Sequence, residues 1–346
     1  MSLISRWQAP SNIALVKYWG KYGIQLPCNP SVSLTLQAAR TETQVEAIPI
    51  VGSGGEPVQF YLDGQRKEGF EPKIWALLQL LGDDCGFWKA HSLRISSSNT
   101  FPHSAGIASS ASGMAALALC LLDLELQFRG QERPPNFYQI ASRWARLGSG
   151  SACRSLYGGF VSWGASKGLN SSLEEGAPLP FEVHSIFNGM RDAILMVDQA
   201  EKKVSSTVGH GLMTDHWYAE RRFLQAESNT QRLLNILKEG DSQGFVELAE
   251  AEALSLHAMM MTSASNYLLM RPNTIAVIEE IRTFRKQTSL PVCFTLDAGP
   301  NVHVLYPNSI QDKVQIFLEE VSAKFCQGKR LDDAMGNGPV ERNSNV

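Results

Sequence analysis

Lys17 and Lys21 stand four residues apart in SNIALVKYWGKYG, with Tyr18 and Trp19 between them. On a strand, 17, 19 and 21 share one face and Tyr18 takes the other; a bend at Gly20 or Gly23 lets Lys17, Tyr18 and Lys21 converge on an anion. Such lysines also serve as guards on an exposed edge strand. The stretch RLGSGSACRSLYGG offers a possible anion nest: Gly148 and Gly150 relax the backbone, Ser149 and Ser151 bring hydroxyls, and Arg154 brings a fork for carboxylate or phosphate. A helix end running into a turn reads equally well there. In FPHSAGIASSAS, small residues open a helix, so Ser104, Ala105, Gly106 and Ala108 leave room for a phosphate and Ser109 or Ser110 could reach it or a magnesium ion. No GK[ST] follows, so it is not a P-loop. Asp297, in VCFTLDAGPN, is a lone carboxylate between an apolar strand and a Gly-Pro turn, where Asp also caps its own backbone. In KKVSSTVGH, Ser205, Ser206 and Thr207 could grip phosphate or start a helix.

These groups need elements to hold them. β-branched stretches broken by Gly23, Pro27 and Pro30 predict strands over 11–45, and 92–97 predicts another. The run ASGMAALALCLLDL is apolar nearly all round and predicts a buried helix, with a second helix over 136–147 and a strand over 157–163. Residues 167–180 read as a loop, and the domain boundary falls shortly after it. Downstream, AILMVDQ, VCFTLD and VHVLYP read as strands, while 216–237, 242–261, 271–287 and 312–325 read as helices. This order predicts an α+β chain.

At 346 residues, with 44% hydrophobic and 19% charged, the chain supports two packed domains sharing a cleft. A net charge of −3 supplies no field for nucleic acid or anionic membrane. The six cysteines (28, 85, 120, 153, 293 and 326) form no CxxC pair, which speaks against a disulfide framework and a zinc site. The start, MSLISRWQAPSN, lacks a signal-peptide pattern, and the apolar run at 114–122 is too short for a bilayer, so a cytoplasmic enzyme is expected. None of the histidines shows metal-ligand spacing; His91, His184, His216, His257 and His303 read as structural or surface groups.

Taken in order, APSNIALVKYWGK, FPHSAGIASSASG, GSGSACRSLYGGFVSW, VSSTVG and FTLDAGPN resemble diphosphomevalonate decarboxylase, over roughly 8–307. That family sits in the superfamily of galactokinase, homoserine kinase, mevalonate kinase and phosphomevalonate kinase. The resemblance implies a two-domain small-molecule kinase fold: a ribosomal-S5-like ATP-binding domain over 1–185, a ferredoxin-like domain over 186–332, the active site in the cleft, and a tail, 333–346, that returns to the first domain or is disordered. It implies ATP-dependent decarboxylation of mevalonate 5-diphosphate through transient 3-phosphorylation, ATP and Mg2+ as cofactors, and a homodimer. By motif, Asp297, Lys17, Arg154 and Asn12 would be catalytic, with Arg154 and Asn12 on the C1 carboxylate. Tyr18, Lys21, Ser149, Gly150, Ser151, Ser206 and Thr207 would hold substrate. Ser104, Ala105, Gly106, Ala108, Ser109 and Ser110 would hold ATP, and Ser109 or Ser110 the metal. The chain departs from the family at Tyr22-Gly23, where an Arg-Asp pair is usual, at Asn29-Pro30-Ser31 in place of Asn-Ser-Ser, and at His210 in place of Met. The alternatives are a phosphomevalonate decarboxylase, a kinase without decarboxylation, and a non-catalytic relative. At His210 a neutral imidazole would fill volume, and a protonated one would add charge beside a diphosphate.

Overall fold

The computed structural model describes residues 2–50, 56–102, 107–198 and 206–342, with the side chains of Ser206 and Thr207 left out. The first half holds β1 (Leu3–Val16), β2 (Lys21–Tyr22), β3 (Leu26–Pro27), β4 (Ser31–Pro49), β5 (Val58–Leu62) and β6 (Gln65–Arg66). Helix α1 (Glu71–Leu81), β7 (His91–Asn99), α2 (Ser109–Arg129), α3 (Phe137–Gly148), β8 (Phe160–Trp163) and β9 (Gly176–Pro178) follow. The second half runs β10 (Arg191–Leu195), α4 (Ser206–Gly211), α5 (Ala219–Glu239), α6 (Ser242–Met261), α7 (Pro272–Thr288), β11 (Cys293–Thr295), β12 (Val302–Tyr306), α8 (Gln311–Phe325), β13 (Arg330–Ala334) and β14 (Val340–Glu341). The α+β expectation and its two-part order are met.

One sheet runs β14-β1-β4-β7-β5-β6, with β8 on β4 and β9 on β8; the other, β11-β12-β10-β13, is antiparallel throughout. Trp7, Ala9, Val45 and Ala47 face a core with α1, α2 and α3. The opposite face, through Ile13, Leu15, Val32 and Leu34, shares a core with Leu233 of α5, Phe245 and Ala249 of α6, and Ile194 and Leu305 of the second sheet. The alternate residues Ala193, Leu195 and Val304 pack on α7 and α8. Helices α5 and α6 therefore lie between the two sheets, each strand serving two cores by its period of two.

Local chemistry accounts for the main boundaries. Gly130 ends α2 at φ +64, in the left-handed region that favours glycine. Asp241 caps α6 by accepting from the Gly244 amide at 2.9 Å. The β1–β4 register shifts between Pro10 and Asn12, and this bulge turns Asn12 inward.

Two expectations change, and the end of the chain gains detail. The apolar run at 114–122 belongs to the 21-residue α2, long and apolar enough to cross a membrane, yet 83% of that window is buried and it is a core helix. Residues 150–156 form a 3-10 turn rather than a glycine-relaxed nest, and neither Gly148 nor Gly150 has positive φ. Residues 330–334 form a fourth strand of the second sheet, Met335 bridges Leu36, and β14 pairs with Trp7 and Gln8 of β1.

Candidate active site

A cavity of about 620 Å³ opens where the end of β1, the start of α2, the 150–156 turn and the β11–β12 loop meet. Asn12, Lys17, Tyr18, Lys21, Ala108, Ser109, Ser110, Ser149, Gly150, Ser151, Arg154 and Asp297 all line it, and so does His210. Ser104, Ala105, Gly106 and Ser205 lie outside the described residues. Ser206 and Thr207 open α4, and their side chains are likewise outside what is described.

Lys17 follows the last residue of β1 and is 2% exposed, which removes it from the role of edge guard. Its Nζ donates to Asp297 Oδ1 at 3.2 Å. Burial pulls the ammonium below its usual pKa, and Asp297 and then Glu252 pull the other way. Asp297 ends the apolar run of β11, and its carbonyl accepts from the Gly299 amide (2.7 Å) and faces His257 Nε2 (3.1 Å). Burial holds His257 neutral, down to about 4, so Nε2–H is the donor and the histidine is more than filler.

Arg154 is 2% exposed. Its guanidinium donates to Ser33 Oγ (3.0 Å), Ser31 Oγ (2.5 Å) and Asn12 Oδ1 (3.3 and 3.4 Å), all neutral acceptors. Among the described residues no carboxylate pairs with it, and burial lowers its pKa. A buried cation so placed awaits an anion. Asn12 is braced by Ser155 Oγ at 2.8 Å.

The Tyr18 hydroxyl is buried with no hydrogen-bond partner among the described residues, and burial pushes the phenol up. Gly150 makes room for it: a Cβ there would meet Tyr18 Oη and Trp163 at 2.8 Å. Gly148 in the same way clears Met114, so both glycines answer to space, not to dihedral freedom. Tyr18 and Trp19 both contact the His210 ring, with centroids at 4.1 and 4.9 Å. His210 Nδ1 accepts the Gly20 amide at 3.1 Å, and burial with Lys21 and Arg154 lowers its pKa to about 3. Burial first, and then the positive charges of Lys21 and Arg154, favour the neutral ring over the protonated one, with Nδ1 accepting and the proton on Nε2.

At the opening of α2, Ala108 sits in the left-handed region at φ +41 and, among the described residues, no side chain caps the helix. The start of a 21-residue helix, with the amides and hydroxyls of Ser109 and Ser110, suits a phosphate. Further along the wall, Phe60, Leu62, Ile74, Ile95, Met114 and Leu117 form an apolar stretch with Thr41, Thr43, Ser97 and Asn99, and Lys67 and Lys73 add charge. Sequence reasoning passed over this stretch, because strand residues 41–43 and 95–99 carry no motif. It also passed over Arg222 and Glu252, a buried pair behind Lys17. Among the described residues no group of three His, Cys, Asp or Glu side chains could hold a metal, so a magnesium ion would depend on serine hydroxyls and ligand phosphates.

Comparison with known proteins follows the same outline. Residues 9–174 match the diphosphomevalonate decarboxylase-like N-terminal domain, and 193–345 the mevalonate 5-diphosphate decarboxylase C-terminal domain. The diphosphomevalonate decarboxylase of Candida albicans is 32% identical over 88% of this chain and 85% of its own length. The solved complex of MDDEF with MVAPP, AMPPCP and magnesium superposes with a TM-score of 0.84 at 28% identity, covering 99% of this chain and 100% of the other. The mevalonate diphosphate decarboxylase of Enterococcus faecalis gives 0.83 at 28%, with the same coverage.

Proposed function

The chain belongs to the diphosphomevalonate decarboxylase family, and from that membership we propose that it converts mevalonate 5-diphosphate and ATP to isopentenyl diphosphate, CO2, ADP and phosphate. The observation that carries the reading at the residue level is Arg154, a buried guanidinium with only neutral acceptors, in one cavity with the Lys17–Asp297 pair. It supplies the charge that a substrate carboxylate needs, and Asn12 shares its grip.

The chemistry is derived from these groups. Asp297 orients the C3 hydroxyl and takes its proton late, because a tertiary alcohol is a far weaker acid than a carboxylic acid of pKa about 4. Lys17 offsets charge on the phosphoryl group in a loose transition state, where positioning does most of the work. Magnesium, when held by Ser109 or Ser110 and the nucleotide, supplies further charge neutralisation. As the C3 phosphate leaves with its electron pair, it takes the proton from Asp297, and the restored Asp297 carboxylate stabilises the positive charge at C3. Arg154 keeps the C1 carboxylate aligned while the C1–C2 bonding pair becomes the C2–C3 double bond and CO2 departs. The unpartnered Tyr18 hydroxyl and Lys21 take the diphosphate, and the apolar wall around Ile74 and Ile95 takes the adenine.

The same reading makes the enzyme a cytoplasmic homodimer, supported by its six unpaired cysteines for the compartment and by the resemblance for the dimer. The test is CO2 release with ATP, Mg2+ and mevalonate, its 5-phosphate or its 5-diphosphate. Only the diphosphate should turn over at full rate; preference for the monophosphate would overturn the assignment.

A further inference from the structure

The peptide unit of Lys17 is gripped at both of its polar ends. Its amide donates to Glu252 Oε2 at 2.8 Å, and its carbonyl accepts from Asn29 Nδ2 (3.0 Å) and Arg222 Nη2 (3.4 Å). Glu252 and Arg222 form a two-pronged pair at 2.5 and 3.0 Å, only 0% and 1% exposed, and Asn229 fills Glu252 Oε1 at 2.6 Å. Five residues along the same helix, His257 Nε2–H donates to the Asp297 carbonyl at 3.1 Å. One helix of the second half thus touches the main chain of both partners in the Lys17–Asp297 contact, one from each half of the chain.

We propose that α6 is the splint that sets Lys17 and Asp297 in register across the cleft, with Glu252 the positioning residue for the lysine and His257 for the aspartate. A buried ion pair is a weak device for stability, since apolar residues of equal volume often hold a fold as well or better. The position of this pair, hydrogen-bonded to the backbone of the lysine, gives it a task that apolar residues cannot perform. A displacement near 1 Å at a reacting group costs on the order of 100-fold in rate, so such a splint is worth keeping. The inference rests on the decarboxylase reading for its kinetic arm only.

Lys17 is faced by Asp297 from the β11–β12 loop, Glu252 and His257 from α6, Arg222 from α5 and Arg154 from the 150–156 turn. The negative charge of Glu252 favours the protonated lysine, so Glu252→Gln should move the loss of activity at high pH toward lower pH. A residue that only stabilised the fold would leave that limb in place.

Because Glu252→Gln strands Arg222 and risks the fold, the double variant R222M/E252M carries the decisive test. It should melt at or above the wild-type temperature while kcat falls about 100-fold with the KM for ATP little changed. Amide hydrogen exchange over 12–19, read without substrate, should quicken at least tenfold. His257→Gln keeps a donor near Nε2 and should retain kcat within a few-fold; His257→Leu should not. Wild-type kcat and wild-type exchange in the double variant overturn the proposal, as does equal loss in the two His257 variants. If the wild type released no CO2 from the diphosphate, the functional reading would fall, and unchanged exchange over 12–19 would still refute the splint.

Discussion

Asp297→Asn keeps the size of the side chain and removes the carboxylate placed next to Lys17 to meet the substrate hydroxyl. Turnover should fall roughly 10²–10⁴-fold, the usual worth of a positioned base. Isothermal titration should still show ATP binding, and circular dichroism a native fold; near-normal turnover in that folded variant removes Asp297 from the mechanism. Arg154→Met separates binding from stability more sharply. Losing the guanidinium strands Asn12 Oδ1, at about 1–3 kcal/mol. It also relieves an unpaired buried charge whose desolvation costs several kcal/mol, and the second effect is larger. The free variant should therefore melt at or above the wild-type temperature, with decarboxylation weakened by about 2–5 kcal/mol in transition-state binding. A fall in Tm would mean that Arg154 is held for the fold and not for the substrate.

At the scale of elements, the 150–156 turn exists in its present form because Gly150 lets it pass against Tyr18 and Trp163. Gly150→Ala should push Tyr18 aside and raise the KM for the phosphorylated substrate at least severalfold, with the KM for ATP little changed; equal effects on both would place Tyr18 elsewhere. Helix α6 and the short α4 bring a different liability. His257 and His210 are buried neutral, with pKa values down to about 4 and about 3. In the unfolded chain histidine titrates near about 6.5, so below that pH the unfolded state binds more protons. The stability these histidines contribute is complete above about 6.5 and is lost as pH falls toward 4 and 3. Thermal melts from pH 7.5 to 5 should show it, and H257Q should flatten the slope. Much of this was legible beforehand: KYWGK, SGSACRS and DAGPN each carry residues that meet in one cavity, α2 showed as a run apolar nearly all round, and α6 and α7 were placed as helices. The Glu252 contact was not, because a Glu in a helix reads as solvated and its partner lies 235 residues away. Nor was β13, whose charged RLDDA lacks an apolar alternation.

For the molecule as a whole, the question is what holds its two sheets at a fixed angle, since the cavity draws on both halves. The interleaved α5 and α6 supply the apolar contact. A polar latch adds direction to it. Where β4 bulges against β1, its ladder skips from Thr35 to Arg40, and the amides of Gln37, Ala38 and Ala39 leave the sheet. Asp333 of β13, in the other sheet, accepts all three at 2.8, 2.6 and 2.7 Å. Arg40 then reaches the Gly338 carbonyl at 3.0 Å, and Gly336 passes so close to β4 that a Cβ would lie 2.3 Å from Leu36 O. Asp333 thus fills the ladder gap and helps tie the halves together. Asp333→Ala leaves those amides to water or to nothing, a loss of at least about 1–3 kcal/mol for a charged acceptor. Because the same stretch of β4 leads into Thr41 and Thr43 on the cavity wall, the loss should also raise the KM for ATP. Calorimetry should show one transition for the wild type and a lower, broader one for Asp333→Ala. An unchanged melt would mean that α5 and α6 alone fix the angle between the sheets.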